Sequence, residues 1–262
     1  MADTATYIYC LVEQSRRPKV AQNRKTPAGL PGATHPELLE IGKSLWAIAA
    51  DVPLKLYGPA HLEERLRDLE WVADIALAHE STVEHFARAK TAAVVPMKLF
   101  TMFSSRERAI DDLRARRPEL TAVLTHIRGA AEWGVRIVRH PAAGRARTTS
   151  KPAHATGTEF LAARKREREQ ARAAVVKAAE AAETAFEQLS KLARSSRRRQ
   201  PPEGATTPPL VDAAFLVKTS AAPRFRAAIK RQAALCRKAG AELILTGPWP
   251  AYNFVQQDGA ST

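Results

Sequence analysis

The sequence predicts an α+β protein of two domains: an N-terminal ferredoxin-like variant and a C-terminal α+β domain with a long helix. Three observations lead there. The chain has 262 residues, 45% of them hydrophobic, enough to bury two ordinary cores. Strand-like and helix-like stretches follow in the order strand, strand, helix, strand, helix, strand, and then long helix, strand, helix, strand. Helices gathered against a mostly antiparallel sheet are the usual solution to such an order. Between the halves, "RHPAAGRARTTSKPAHA" at 139–155 carries four Lys/Arg and no acid, the composition of a solvated connection with little to bury. The expected boundaries are 1–139 for the first domain, 140–155 for a flexible basic linker, 156–255 for the second domain and 256–262 for a disordered tail.

Each element has its own signal. "ATYIYCLV" at 5–12 is aromatic and β-branched without a breaker, hence a strand. A basic Pro/Gly-containing loop over 13–36 follows, and "SLWAIAADVP" at 44–53 gives a second strand. Over 59–90 apolar residues recur at three- and four-residue steps from Leu62 to Ala87, with one longer gap, and Pro59 suits a first turn. "AAVVPMKLFTMF" at 92–103 is a strand broken at Pro96, which cannot donate to a ladder and so marks a bulge or an edge. Ser104 with Glu107 forms a capping box; Ile110 and Leu113 lie on the helix it opens, and Pro118 restarts that helix. "EWGVRIVRH" at 132–140 closes the first half as a strand with Val135 and Ile137 on one face.

The second half opens on Thr156-Gly157-Thr158-Glu159, another capping box. The helix it starts runs to about residue 198, charged all round at first ("RKREREQ"), then striped with Ala171, Ala174, Ala178, Ala181, Ala185, Leu189 and Leu192. A narrow alanine stripe requires a close partner, either the protein's own sheet or another chain. "LVDAAFLVKTS" at 210–220 is a strand. Pro223 opens a helix that turns Phe225, Ile229, Ala233 and Cys236 inward and ends at Gly240. "AELILTG" is the last strand.

Chemistry is harder to find. The formal charge is +14, which suggests an anionic partner: nucleic acid, a membrane surface or an acidic protein surface. Much of the excess lies in the connections, and the basic segments 13–36, 139–155 and 197–199 contain no Phe, Tyr or Trp. Specific nucleic-acid binding would call for basic residues interleaved with aromatics. "HESTVEH" at 79–85 is the best metal candidate, but His79 and His85 are about 240° apart around a helix and do not converge as an HExxH pair does. Glu80 and Glu84 share a face as an ordinary like-charged pair. No phosphate-loop, dinucleotide or nucleophile-elbow pattern occurs. Cys10 lies in an apolar run and Cys236 on a helix-like apolar face, both read as buried small hydrophobes. The N-terminus has no signal-peptide pattern, and no run of eighteen apolar residues suggests a membrane span. Neither a catalytic residue, a cofactor nor a metal ligand is assigned.

Several stretches, in order, form a recognisable series: "YIYCLV", "AHESTVEHF", "VVPMKLFTMFSS", "EWGVRI", "TGTEFLAARK", "AAFLVKTS" and, at 245–255, "LTGPWPAYNFV". This series resembles the GvpL/GvpF family of gas vesicle proteins. Ala251 stands where the family's closing run has proline, and Leu99 and Phe100 stand where it tends to have phenylalanine and glycine. The resemblance implies two α+β domains and a non-enzymatic accessory or minor structural protein required for gas vesicle formation. It implies contact with the gas vesicle shell protein and other accessory proteins, and a location on the vesicle and in the cytoplasm. The competing expectation, from charge alone, is a basic scaffold for nucleic acid or acidic protein surfaces.

The closing run Gly247-Pro248-Trp249-Pro250, with Tyr252 and Phe254, is the candidate structural or partner-binding motif. Pro248 and Pro250 fix φ on both sides of Trp249 and remove two ladder donors. The stiff turn that results either plugs the core with its aromatics or presents them, pre-ordered, to a hydrophobic shell subunit.

Overall fold

The computed structural model describes residues 3–18, 27–88, 93–140, 157–200 and 208–255, and its first strand, β1 (Thr4–Glu13), is buried from Ala5 to Val12. Burial of both faces explains why this strand reads as a continuous apolar run rather than an alternation. β3 (Leu45–Pro53) pairs antiparallel with β1, and β2 (Glu37–Gly42) pairs antiparallel with β3. On the other side of β1 lie β4 (Ala93–Pro96) and the two-residue β5 (Met102–Phe103), giving the order β2-β3-β1-β4. β4 ends at Pro96 on the sheet edge, the place where a missing donor is tolerated. The pairing register shifts between Ile8 and Cys10. This bulge reverses the alternation, so that Tyr7 and Tyr9 before it and Cys10 and Val12 after it all enter one cluster.

β2 is a strand that the sequence pattern does not announce. It is a short edge strand with glutamates at positions 37 and 40, and only Leu39 and Ile41 are buried. A one-turn helix, α1 (Leu54–Tyr57), precedes the helical run expected over 59–90, which is divided into α2 (Pro59–Arg65) and α3 (Leu69–Ala87). The division falls at Asp68, whose carboxylate accepts from the Glu70 and Trp71 N–H groups at 3.1 Å each, a stronger start signal than the apolar spacing. α3 lies on β1 and β4 and buries Ile75, His79, Val83 and Phe86. α4 (Arg106–Ala115) and α5 (Arg117–Ile127) follow, with Pro118 in the first turn of α5. The cap of α4 is Ser105, one residue later than expected: its hydroxyl accepts from the Arg108 N–H at 3.3 Å.

The remaining elements are β6 (Ala130–Arg139), α6 (Gly157–Ser190), β7 (Ser195–Arg198), β8 (Val211–Lys218), α7 (Ala222–Lys238) and β9 (Ala241–Trp249). Their sheet has the order β7-β8-β6-β9. β6, placed with the first half by the sequence reading, hydrogen-bonds in this second sheet. The chain thus divides into one compact unit of Met1–Ala130 with Trp249–Thr262 and another of Ala131–Pro248. The strand-helix-strand-strand-helix-strand connectivity of a ferredoxin-like fold is complete in the second unit. The first has the same spatial strand order without a helix between its first two strands.

In the second unit, Trp133, Val135 and Ile137 of β6 and Phe215 of β8 pack with Ala178, Ala182, Ala185 and Leu189 of α6 and with Phe225, Ile229 and Cys236 of α7. Gly240 adopts φ 83° after α7, the left-handed turn that favours glycine. α6 ends at Ser190, short of the expected 198. Arg197 and Arg198 lie instead on the edge strand β7, where charge discourages further pairing. Apart from His140, the expected linker 140–155 lies outside the described residues, as do the tail 256–262 and Thr156 of the expected cap.

Candidate partner-binding site

β9 is an edge strand of its sheet and extends to Trp249, two residues beyond the expected end. Leu243 and Leu245 pack against the core of the second unit, whereas Glu242, Ile244 and Thr246 face outward. Gly247 has φ 102° and its bond to Pro248 is cis. After Pro250 the chain turns sharply: the Tyr252 N–H donates to the Pro250 carbonyl at 2.8 Å and the Phe254 N–H to the Ala251 carbonyl at 3.0 Å.

The six residues of the closing run do not form one aromatic patch. Phe254 is buried, and half-buried Tyr252 packs against the cluster of Tyr7, Tyr9 and their neighbours in the first unit. Trp249 is 37% exposed, and Pro248 beside it is exposed as well. Packing accounts for the second half of the motif and leaves a single indole at the surface. Ile244, exposed at 42% on the same strand, has no place in the sequence reading. Its signal was the alternation of β9, which puts residue 244 on the face opposite Leu243 and Leu245.

"AHESTVEHF" builds the interior of the first unit. Nδ1 of His79 lies 2.7 Å from the Tyr7 hydroxyl, and the imidazole stacks on Tyr9 with centroids 5.7 Å apart. The Tyr7 hydroxyl accepts from the Phe100 N–H at 3.4 Å, and the Tyr9 hydroxyl from the Leu30 N–H at 2.9 Å. Tyr7 therefore has its own proton to give Nδ1, and the neutral ring carries its hydrogen on Nε2. Burial holds His79 down at about 4 against an opposing pull from the Met97 backbone. Burial also raises Tyr7, and moves Tyr9 up to about 12. His85, by contrast, is half-buried and meets Phe86 edge-on at 5.1 Å. The two histidines are not brought together, and no group of three or more His, Cys, Asp or Glu is placed to hold a metal among the described residues. Desolvation and Glu84 raise Glu80. Both cysteines are buried, and burial raises both thiols.

Phe100 holds φ 63°, a left-handed conformation, while its ring stacks on Trp71 with centroids 5.9 Å apart. In the second unit, Asp212 is buried between two guanidinium groups: Arg136 donates from Nε at 2.9 Å and Arg199 from Nε at 2.7 Å. No helix among the described residues is long and apolar enough to cross a membrane.

Comparison with known proteins adds to this geometry. Residues 5–256 match the family described as gas vesicle synthesis protein GvpL/GvpF. Gas vesicle protein L of Streptomyces sp. (strain CB03234) is 27% identical over 233 residues, covering 85% of this chain and 84% of that protein. The crystal structure of the gas vesicle protein GvpF from Anabaena sp. PCC7120 superposes with a TM-score of 0.68 at 14% identity, over 99% of both chains. That of GvpF from Microcystis aeruginosa gives 0.62 at 13% identity, over 97% of this chain and 99% of that one. At these identities the two structures speak to the fold: mixed helix and sheet with the same overall course.

Proposed function

We propose that this chain, which belongs to the GvpL/GvpF family of gas vesicle synthesis proteins, serves gas vesicle formation by binding the shell protein and assisting its assembly, without transforming a substrate. It works on the vesicle and in the cytoplasm, together with other vesicle accessory proteins. The observation that supports this most directly is the exposure of Trp249 in a run whose other two aromatics are packed inward. An indole fixed between two prolines gives up little freedom on binding, and tryptophan is among the residues that dominate interfaces.

The test is Trp249→Ala in the full chain, scored by thermal melting and by capture of purified, tagged shell protein. Truncating a partly exposed indole should lower stability by about 1–2 kcal/mol, less than the roughly 3–5 kcal/mol of a fully buried one, while capture is lost. Retained capture by the variant removes Trp249 from the contact. A parent chain that captures no shell protein overturns the binding reading itself.

A further inference from the structure

α6 is 34 residues long, about 50 Å at the usual rise, but only its second half is packed. The buried stripe begins at Ala178, and every residue from Thr158 to Ala173 is exposed. Of the two partners that an alanine stripe permits, the protein's own sheet takes the part from Ala178 onward. The first half, including Ala171 and Val175, is left uncovered among the described residues. A helical stretch of that length without a packed face is only marginally stable in water.

Its composition is not that of an idle solvated face. Phe160 is 49% exposed, Leu161 67%, Val175 40% and Val176 55%. At about 100° per residue, these four and Arg164, Lys165, Arg168 and Arg172 fall within one arc of roughly 160°. Glu159 lies outside it, Glu167 and Glu169 border its two edges, and Glu169 lines the same groove as Phe160, Leu161 and the four cations, which still outnumber it. The Arg164 guanidinium sits over the Phe160 ring, 5.7 Å from its centroid, so apolar and cationic groups are interleaved.

We infer that the first half of α6 is a docking arm for an acidic amphipathic helix of another protein, with Phe160, Leu161, Val175 and Val176 as apolar anchors and the four cations interleaved between them paired to its carboxylates. Charge selects this occupant. A second copy would bring four cations against four, with only Glu167 and Glu169 at the edges of each arc to offset them. The chain's own segments 13–36 and 139–155 carry five and four Lys/Arg against one and no acidic residue. Carboxylates flanking an apolar seam are the complement that both attracts and sets register. The inference does not rest on Trp249 or on shell binding.

The experiment uses the full chain and a fluorescent helical peptide of about 20 residues, with leucine and alanine at seam positions and glutamate flanking them. A lysine-flanked version serves as control. The parent should bind the acidic peptide, more weakly as salt rises, and not the basic one. The combined Arg164→Glu, Arg168→Glu and Arg172→Glu variant should lose at least about tenfold in affinity for the acidic peptide and gain the basic one. Phe160→Ser with Leu161→Ser should weaken binding of the acidic peptide. All of these side chains are exposed, so circular dichroism and melting should stay near the parent's. Unchanged affinity after charge reversal overturns the inference. So does preferential binding of a 20-base-pair DNA duplex or of phosphatidylserine vesicles through the same arginines, or a parent dimer that the variants abolish.

Discussion

At the residue scale, His79 makes the stability of the first unit depend on pH. Its native value is about 4 against an ordinary 6.5, with desolvation the main cause. The folded state therefore binds the proton less readily than the unfolded chain does. The contribution is complete above pH 6.5 and is lost as pH falls toward 4, by up to about 3 kcal/mol. His79→Gln can still accept from Tyr7, and its urea midpoint should stay flat across that window while the parent's falls; equal slopes would show that other groups set the acid limb. Phe100 poses a different balance. Left-handed backbone costs a non-glycine residue roughly 1–2 kcal/mol. Stacking on Trp71 returns about 0.5–1.5 kcal/mol, and partial burial adds about 1 kcal/mol. Phe100→Gly should therefore destabilise by at most about 1.5 kcal/mol, and Phe100→Val, which loses the ring without relief of the backbone, by more. A glycine variant less stable than the valine variant would refute this account. The sequence offered a hint here, since Phe100 stands where the family resemblance expects glycine. It could not show that a neighbouring indole compensates. Nor could it show the Tyr7–His79 pair, which joins residues 72 positions apart across a bulge that no local pattern encodes.

At the element scale, legibility follows how much apolar surface an element buries. β1, β6, β8 and α7 bury continuous or strongly periodic apolar positions, and the sequence predicts all four. β2 and β7 are edge strands with charged residues, which single-strand patterning cannot distinguish from loops. The stripe of α6 was legible as a stripe, but not the point at which the sheet stops covering it. That point can be tested within one helix. Ala182 is fully buried, whereas Ala171 is exposed. Ala182→Leu forces extra methylenes between close-packed elements and should cost about 1–3 kcal/mol. Ala171→Leu should fall within about 0.5 kcal/mol of the parent. Urea denaturation of both reads the difference, and a neutral Ala182→Leu would mean that α6 does not approach its neighbours closely.

At the scale of the whole molecule, the path of the chain matters more than its composition. The last strand belongs to the second unit, but Trp249–Thr262 belongs to the first. The closing run therefore returns the chain to a core begun some 240 residues earlier, where Tyr252 meets the cluster that contains Tyr7. The sequence reading assigned this run to the second domain, because adjacency along the chain was its only guide. A chain ended after Pro248 loses buried Ala251 and Phe254 and the packed Tyr252. Each large side chain is worth about 1.5–3 kcal/mol when fully buried, a substantial fraction of the roughly 5–15 kcal/mol that holds a domain together. Hydrogen exchange should then show lost protection in β1, β3 and α3 while β6, β8 and α7 keep theirs, since the packed residues removed all belong to the first unit. A chain ended after Val255 retains those three residues and should exchange like the parent. Equal loss of protection in both units after the shorter truncation would mean that the closing run stabilises the molecule as one cooperative whole, and its assignment to the first core alone would fail.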